Sequence, residues 1–285
     1  MLWFLPYSGG DSTRKPPVIT IAIITINVMV FLTTWHGGNF MDVLDKYAFV
    51  PGEPSIVTIF TYQFLHAGYL HIFFNMWILW IFGTRLEDLV GQIWFFPYYL
   101  FCGLAAAGLH ALSASGGPGS LTPTVGASGA VFGVMGGYFV LFYRSYIRGI
   151  IMFLVFPIPV PIIVPSVFFL GLTIAMELIY GVTGGMAGGA RIAHWAHIGG
   201  FAFGAGILYL LTATRAVIVP NIDRVRRGEF SQIGPGDMFL GNLTAARENR
   251  RFAPIPAEYN KLMAEEPTLV FGPDTQYKAA RAIER

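Results

Sequence analysis

Runs of about 20 apolar residues recur along this chain as far as Leu211, and they decide the fold class before any single residue is considered. A helix rises 1.5 Å per residue, so about 20 residues cross about 30 Å of hydrocarbon. Such runs occupy about Val18–Trp35, Tyr62–Phe82, Ile93–Leu112, Val125–Tyr143, Ser166–Val182 and Ile192–Leu211. Only 12% of the 285 residues are charged, where soluble domains carry about 25%. Residues 213–285 also hold 11 of the 18 Lys and Arg and 9 of the 16 Asp and Glu, so the preceding part is more apolar still. The expectation is an all-α membrane protein, a bundle of six transmembrane helices in a lipid bilayer.

The remaining stretches fit around these spans. Residues 149–165 are apolar but contain Pro157, Pro159, Pro161 and Pro165, which forbid a continuous helix. They are read as an interfacial or partly re-entrant connector. With the N-terminus inside, the inner segments carry Arg14, Lys15, Arg85, Arg144 and Arg148, against Lys46 and Arg191 outside. That bias follows the positive-inside rule and places both termini in the cytoplasm. Residues 1–17 then form a cytoplasmic segment, 18–211 the membrane domain, and 212–285 a cytoplasmic tail that is disordered or serves in docking. The N-terminus MLWFLPYSGG lacks a basic n-region, so no cleaved signal peptide is expected. A net charge of +2 without a basic tract argues against nucleic acid as a partner. The single Cys102 excludes an intrachain disulfide.

Polar side chains inside spans are costly, so each needs a reason. The second span holds His66, His71 and Asn75; the last two are four apart and share a helix face. The fourth opens with Gly126, Ala127, Ser128 and Gly129, and the sixth carries His194 and His197 followed by Gly200 and Gly204. Taken singly, small residues and serines serve helix packing, and histidines and asparagines serve interhelical hydrogen bonds. Their joint position says more. In the expected topology spans two, four and six all enter from the outer face, and each carries its polar group in its outer part. Packing residues chosen independently have no reason to agree in leaflet.

The set has the parts of a nucleophilic site. A serine hydroxyl needs a neighbouring base, and His197 can supply it to Ser128. The developing oxyanion needs donors, which the Ser128 N–H, His71 and Asn75 can provide. Phe132 follows Ser128 by one turn on the same face, where its ring can stack on the imidazole. Glu177 is the acidic residue of the fifth span; it can orient a histidine, bind water or reach the interface, and the last two are expected because nothing in its spacing ties it to His197.

The motifs resemble those of the rhomboid family of intramembrane serine proteases. The match consists of His71–Asn75 as HxxxN, Gly126–Gly129 as GxSG, and Ala196-His197-Ile198-Gly199-Gly200 through Gly204 as AHxxGxxxG, with FLHAGYLHIFFN before them and GTRLE, ending at Glu87, between. It covers about Tyr62 to Gly206. The resemblance implies a rhomboid-like six-helix bundle with Ser128 as nucleophile, His197 as general base, and His71 and Asn75 at the oxyanion. It implies no metal or cofactor, and transmembrane proteins as substrates, most simply in a bacterial inner membrane. Phe132 stands where many members have tyrosine, and the Trp-Arg pair common in their first outer loop is absent. Two rival readings are a non-catalytic binder of transmembrane segments and a haem or metal protein using the span histidines. The second leaves GASGA unexplained.

Overall fold

The computed structural model describes residues 2–9, 15–117, 119–153, 160–183 and 193–214. The chain is mostly helical, with α1 (Val18–His36), α2 (Phe40–Tyr47), α3 (Ile56–Thr61), a 3-10 turn at Tyr62–Phe64, α4 (Tyr69–Val90), α5 (Gln92–Ala114), α6 (Ser128–Leu141), α7 (Ser166–Thr183) and α8 (His194–Ala213). Four of these, α1, α5, α7 and α8, are long and apolar enough to cross a membrane. A fifth crossing follows if α3 with its 3-10 turn and α4, bent by 88°, count as one broken span. The apolar α6, of 14 residues, is shorter. At 1.5 Å per residue it measures about 21 Å, less than the hydrocarbon thickness.

The second span departs from its expected bounds at both ends. The extended Gly68 (φ 165°) starts α4 at Tyr69 instead of Tyr62, so the FLHAG stretch stays outside the helix. Its far end runs past Phe82 to Val90, because Thr84, Arg85 and Glu87 are buried inside protein. Glu87 is 1% exposed. It accepts hydrogen bonds from the Ile19 N–H (2.9 Å), the Thr20 N–H (2.7 Å) and the Thr20 hydroxyl (2.7 Å). These donors lie in the first turn of α1, where Pro17 supplies no side-chain cap. A carboxylate borrowed from another helix thus satisfies orphan N–H groups and complements the helix dipole. Replacing Glu87 with Ala is expected to cost about 2–3 kcal/mol, the scale of buried hydrogen bonds to a charged group, read as a lowered unfolding midpoint in detergent.

The all-α expectation needs correcting. Three strands, β1 (Leu2–Ser8), β2 (Tyr146–Phe153) and β3 (Val160–Pro165), form an antiparallel sheet in the order β1-β2-β3. The stretch read as an interfacial connector supplies two of them. Proline placement explains the order, since proline cannot donate to a sheet ladder and belongs on edges. Pro161 and Pro165 lie in the edge strand β3, Pro6 lies in the edge strand β1 beside a register shift, and the central β2 has none. Pro157 and Pro159 fall outside the described residues. The sheet joins the bundle where the Trp77 indole donates to the Pro6 carbonyl (2.7 Å) and the Tyr138 hydroxyl to the Gly9 carbonyl. The expected first outer loop also contains structure, α2 and the Ser55-capped α3.

Helix α6 is the centre of the bundle, packed on α4, α5 and α8 and buried along most of its length. Its seam with α8 is backbone on backbone. A Cβ at Gly200 would come 1.9 Å from the Gly129 carbonyl oxygen, and one at Gly204 2.1 Å from that of Gly133. Helix α7 lies at the margin, burying only Ser166 and Leu170 and exposing Phe168, Leu172, Leu178 and Ile179.

Candidate active site

Ser128 is the first residue of α6, and the chain before it is tied down in several places. Phe49 and Thr124 exchange backbone hydrogen bonds of 3.0 and 2.8 Å, and the Gly52 N–H reaches the Ser120 carbonyl at 2.7 Å. The Gly126 N–H donates to the Tyr62 carbonyl (2.9 Å), and His110 Nε2 lies 3.1 Å from the Thr124 hydroxyl. Gly126 turns the chain at φ +129°, a conformation that side chains disfavour. Space there is short as well. A Cβ on Gly126 would lie 2.7 Å from His71 Cε1 and Nε2 and 3.7 Å from the Ser128 hydroxyl. The glycine therefore lets one edge of His71 approach the serine.

His197, in the first turn of α8, places Nε2 2.9 Å from the Ser128 hydroxyl oxygen. Phe132 stacks on the imidazole, with ring centroids 4.2 Å apart and planes inclined by 2°. The ring holds the imidazole's tilt, while the close α6–α8 seam holds the two helices.

Glu177 takes the less expected of its roles and faces two histidines. Its Oε2 lies 2.7 Å from His194 Nδ1 and 3.0 Å from His197 Nδ1. The first is an aligned hydrogen bond. The second is close but poorly directed, so His197 Nδ1 has an ion-pair contact without a well-formed hydrogen bond. A serine, a histidine and a carboxylate thus line up across α6, α8 and α7. The sequence held half a signal for this, a lone acid in one span and two histidines three apart in another.

On the far side of Ser128, α4 carries His71 and Asn75. The Ala67 N–H reaches His71 Nδ1 at a long 3.5 Å. An acceptor Nδ1 leaves the ring proton on Nε2, the edge facing Gly126 and the serine. Asn75 is 8% exposed, and its amide nitrogen has no hydrogen-bond partner. A buried, unpaired donor costs about 1–3 kcal/mol and calls for a purpose. His66 is fully buried with both ring nitrogens unpaired, its ring 5.1 Å from that of His71.

A sequence model of the Rhomboid domain matches residues 53–214, more than half of the chain. The chain belongs to the rhomboid family. It is 32% identical over 153 residues to the yeast Saccharomyces cerevisiae "Rhomboid protein 1, mitochondrial", covering 50% of this chain and 41% of that one. With "RHOMBOID-like protein 4" of Arabidopsis thaliana it shares 28% over 201 residues, 70% of this chain and 42% of the relative. With "Rhomboid protease GluP" of Bacillus subtilis it shares 31% over 126 residues, 42% and 24% respectively. The chain spans less than half the length of these relatives. Rhomboid membership and the apolar helices make it an integral membrane protein of a protease family that also contains inactive members. Yeast, plant and bacterial relatives share the domain, so kinship does not single out the expected bacterial inner membrane.

Proposed function

We propose that this rhomboid is an active intramembrane serine endopeptidase that cleaves transmembrane or juxtamembrane segments of other membrane proteins. The observation that carries the reading is the 2.9 Å Ser128–His197 contact beneath a stacked Phe132, on helices whose backbones touch. His197 Nε2 takes the hydroxyl proton as the Ser128 oxygen attacks the scissile carbonyl carbon. The resulting oxyanion is met by the N–H groups at the start of α6, aided by the positive end of the helix dipole, and by the His71 and Asn75 side chains. His197 then gives its proton to the leaving amine, and water repeats the sequence on the acyl-enzyme. Glu177 favours the tautomer with its proton on Nδ1, which frees Nε2 to accept.

The membrane domain is proposed as residues 18–211 with six crossings and cytoplasmic termini, supported by the arginine and lysine bias. The short α6 then counts as a crossing whose N-terminal end stops below the surface. Such a start is affordable where protein satisfies the backbone of the preceding loop, as Tyr62 and Phe49 do here. The tail from residue 215 lies outside the described residues, and its cytoplasmic place is part of the same proposal.

The test is incubation of the liposome-reconstituted protein with a panel of single-span membrane proteins, beside the Ser128→Ala variant. Products must appear only with the wild type, which should also react with a fluorophosphonate probe. If neither Ser128-dependent products nor labelling appear, the chain is a non-catalytic binder. Within an active enzyme, His71→Ala and Asn75→Ala should each lower kcat by about 10²-fold while leaving the unfolding midpoint near that of wild type, the pattern of a lost oxyanion donor.

A further inference from the structure

We propose that Glu177, His194 and His197 form a binding site for a zinc-class divalent cation, and that the bound cation switches off the Ser128–His197 pair. The switch, though not the site, rests on the catalytic reading above.

The donor set comes first. Glu177, His194 and His197 each offer a ligand atom within 4.8 Å of the other two, and Glu177 Oε2 lies 2.7 Å from His194 Nδ1 and 3.0 Å from His197 Nδ1. Two imidazoles and a carboxylate are ligands that zinc accepts at about 2.0–2.2 Å in a tetrahedron, with the fourth position open to water. Those bond lengths place donors about 3.3–3.4 Å apart, so the 2.7 and 3.0 Å contacts must open by about 0.3–0.7 Å and the two imidazole nitrogens must settle at the same spacing. Helix α7 can give that much, since it buries little beyond Ser166 and Leu170. The side chains are 11–16% exposed, shielded yet open to a small ion. A second observation points the same way. His197 Nδ1 is buried, and its 3.0 Å contact with Glu177 Oε2 is poorly directed, so a better-placed partner fits this nitrogen. Magnesium and calcium prefer all-oxygen sets, which this one is not.

The switch follows from proton bookkeeping on one ring. In the working form the single proton of neutral His197 sits on Nδ1, and the Nε2 lone pair accepts the proton of Ser128. A cation at Nδ1 needs the electron pair of Nδ1 itself, so the proton there is released to solvent and Nε2 takes one up in exchange. The ring stays neutral with its single proton on Nε2, where it can only donate towards Ser128 and cannot act as base. No bond to substrate is made or broken, and removing the cation restores the first tautomer.

Two measurements on full-length protein in liposomes test this, both in metal-buffered solution. The Ser128→Ala protein should bind about one cobalt ion with the visible bands of tetrahedral coordination, displaced by zinc. Glu177→Gln and His194→Ala, each added to it, should weaken binding at least tenfold. The unfolding midpoint measured in chelator shows that each variant is folded, and His194→Gln replaces His194→Ala if the latter is not. In wild type, zinc should reduce cleavage at least tenfold and chelator should restore it. Failure to bind cobalt above the lipid background, or binding unaffected by these substitutions, overturns the site. Zinc bound at the site without loss of cleavage overturns the switch. A metal-free wild type that cleaves nothing, beside a Ser128→Ala protein that binds cobalt as described, sinks the protease reading and leaves the metal site standing.

Discussion

Ser128→Ala and His197→Ala will each lower cleavage by about 10⁴-fold or more, and the double variant will be no worse than either alone. The reason is that the two side chains perform one step. With the hydroxyl gone, His197 has no proton to take; with the imidazole gone, the hydroxyl remains a weak nucleophile. Residues acting as such a unit show strongly non-additive losses. The 2.9 Å contact and the parallel Phe132 ring place the imidazole for that step without rearrangement, and the His197→Ala variant loses that placed base. His194 cannot substitute because its Nδ1 is engaged by Glu177 at 2.7 Å, and the His71 edge that faces the serine carries a proton and cannot accept another. Rates of the two single variants and the double on one substrate in liposomes decide the matter. Losses that multiply in the double variant would show that Ser128 and His197 act independently, which the proposed mechanism does not allow.

The site shows which physical facts a sequence carries. His71 and Asn75 were legible because a four-residue spacing fixes a shared helix face wherever the helix lies. Ser128, Phe132 and His197 were legible because their motifs combine such spacing with small residues that bring helices together. Glu177 was not, because its value depends on how α7 is turned against α8, and an almost uniformly apolar helix gives no pattern that sets its rotation. The strands were missed for a related reason. Tyr146–Phe153 and Val160–Pro165 are short and rich in Ile and Val, and an apolar run of that kind reads equally well as membrane-embedded coil or as strand. What decides is pairing, and β2 pairs with Leu2–Ser8, more than a hundred residues away. The start of α4 was misplaced because FLHAGY is continuous in hydropathy, while the break at Gly68 is a matter of backbone angle.

Gly200→Val should leave little folded protein and no measurable cleavage, while Gly206→Val, in the same helix, should be nearly silent. The comparison holds the substitution and its effect on helix propensity constant. Only the surroundings differ. A Cβ at Gly200 would sit 1.9 Å from the Gly129 carbonyl oxygen and 2.9 Å from its carbon, whereas one at Gly206 meets nothing within 4 Å. Both atoms at Gly129 are backbone and cannot swing aside. The seam must therefore open by more than 1 Å to restore ordinary van der Waals distance. Overpacking costs about 1–3 kcal/mol even where side chains can adjust, and a backbone clash in the central seam exceeds that range. The chemistry suffers in the same motion. Gly129 adjoins Ser128 and Gly200 lies one turn beyond His197, so opening the seam draws the nucleophile from its base. A misplacement of about 1 Å alone can cost about 10²-fold in rate. Unfolding midpoints in detergent and cleavage in liposomes report the two effects separately. If Gly200→Val matched Gly206→Val in both, α6 and α8 could not be in backbone contact, and the fixed Ser128–His197 distance would lose its mechanical support.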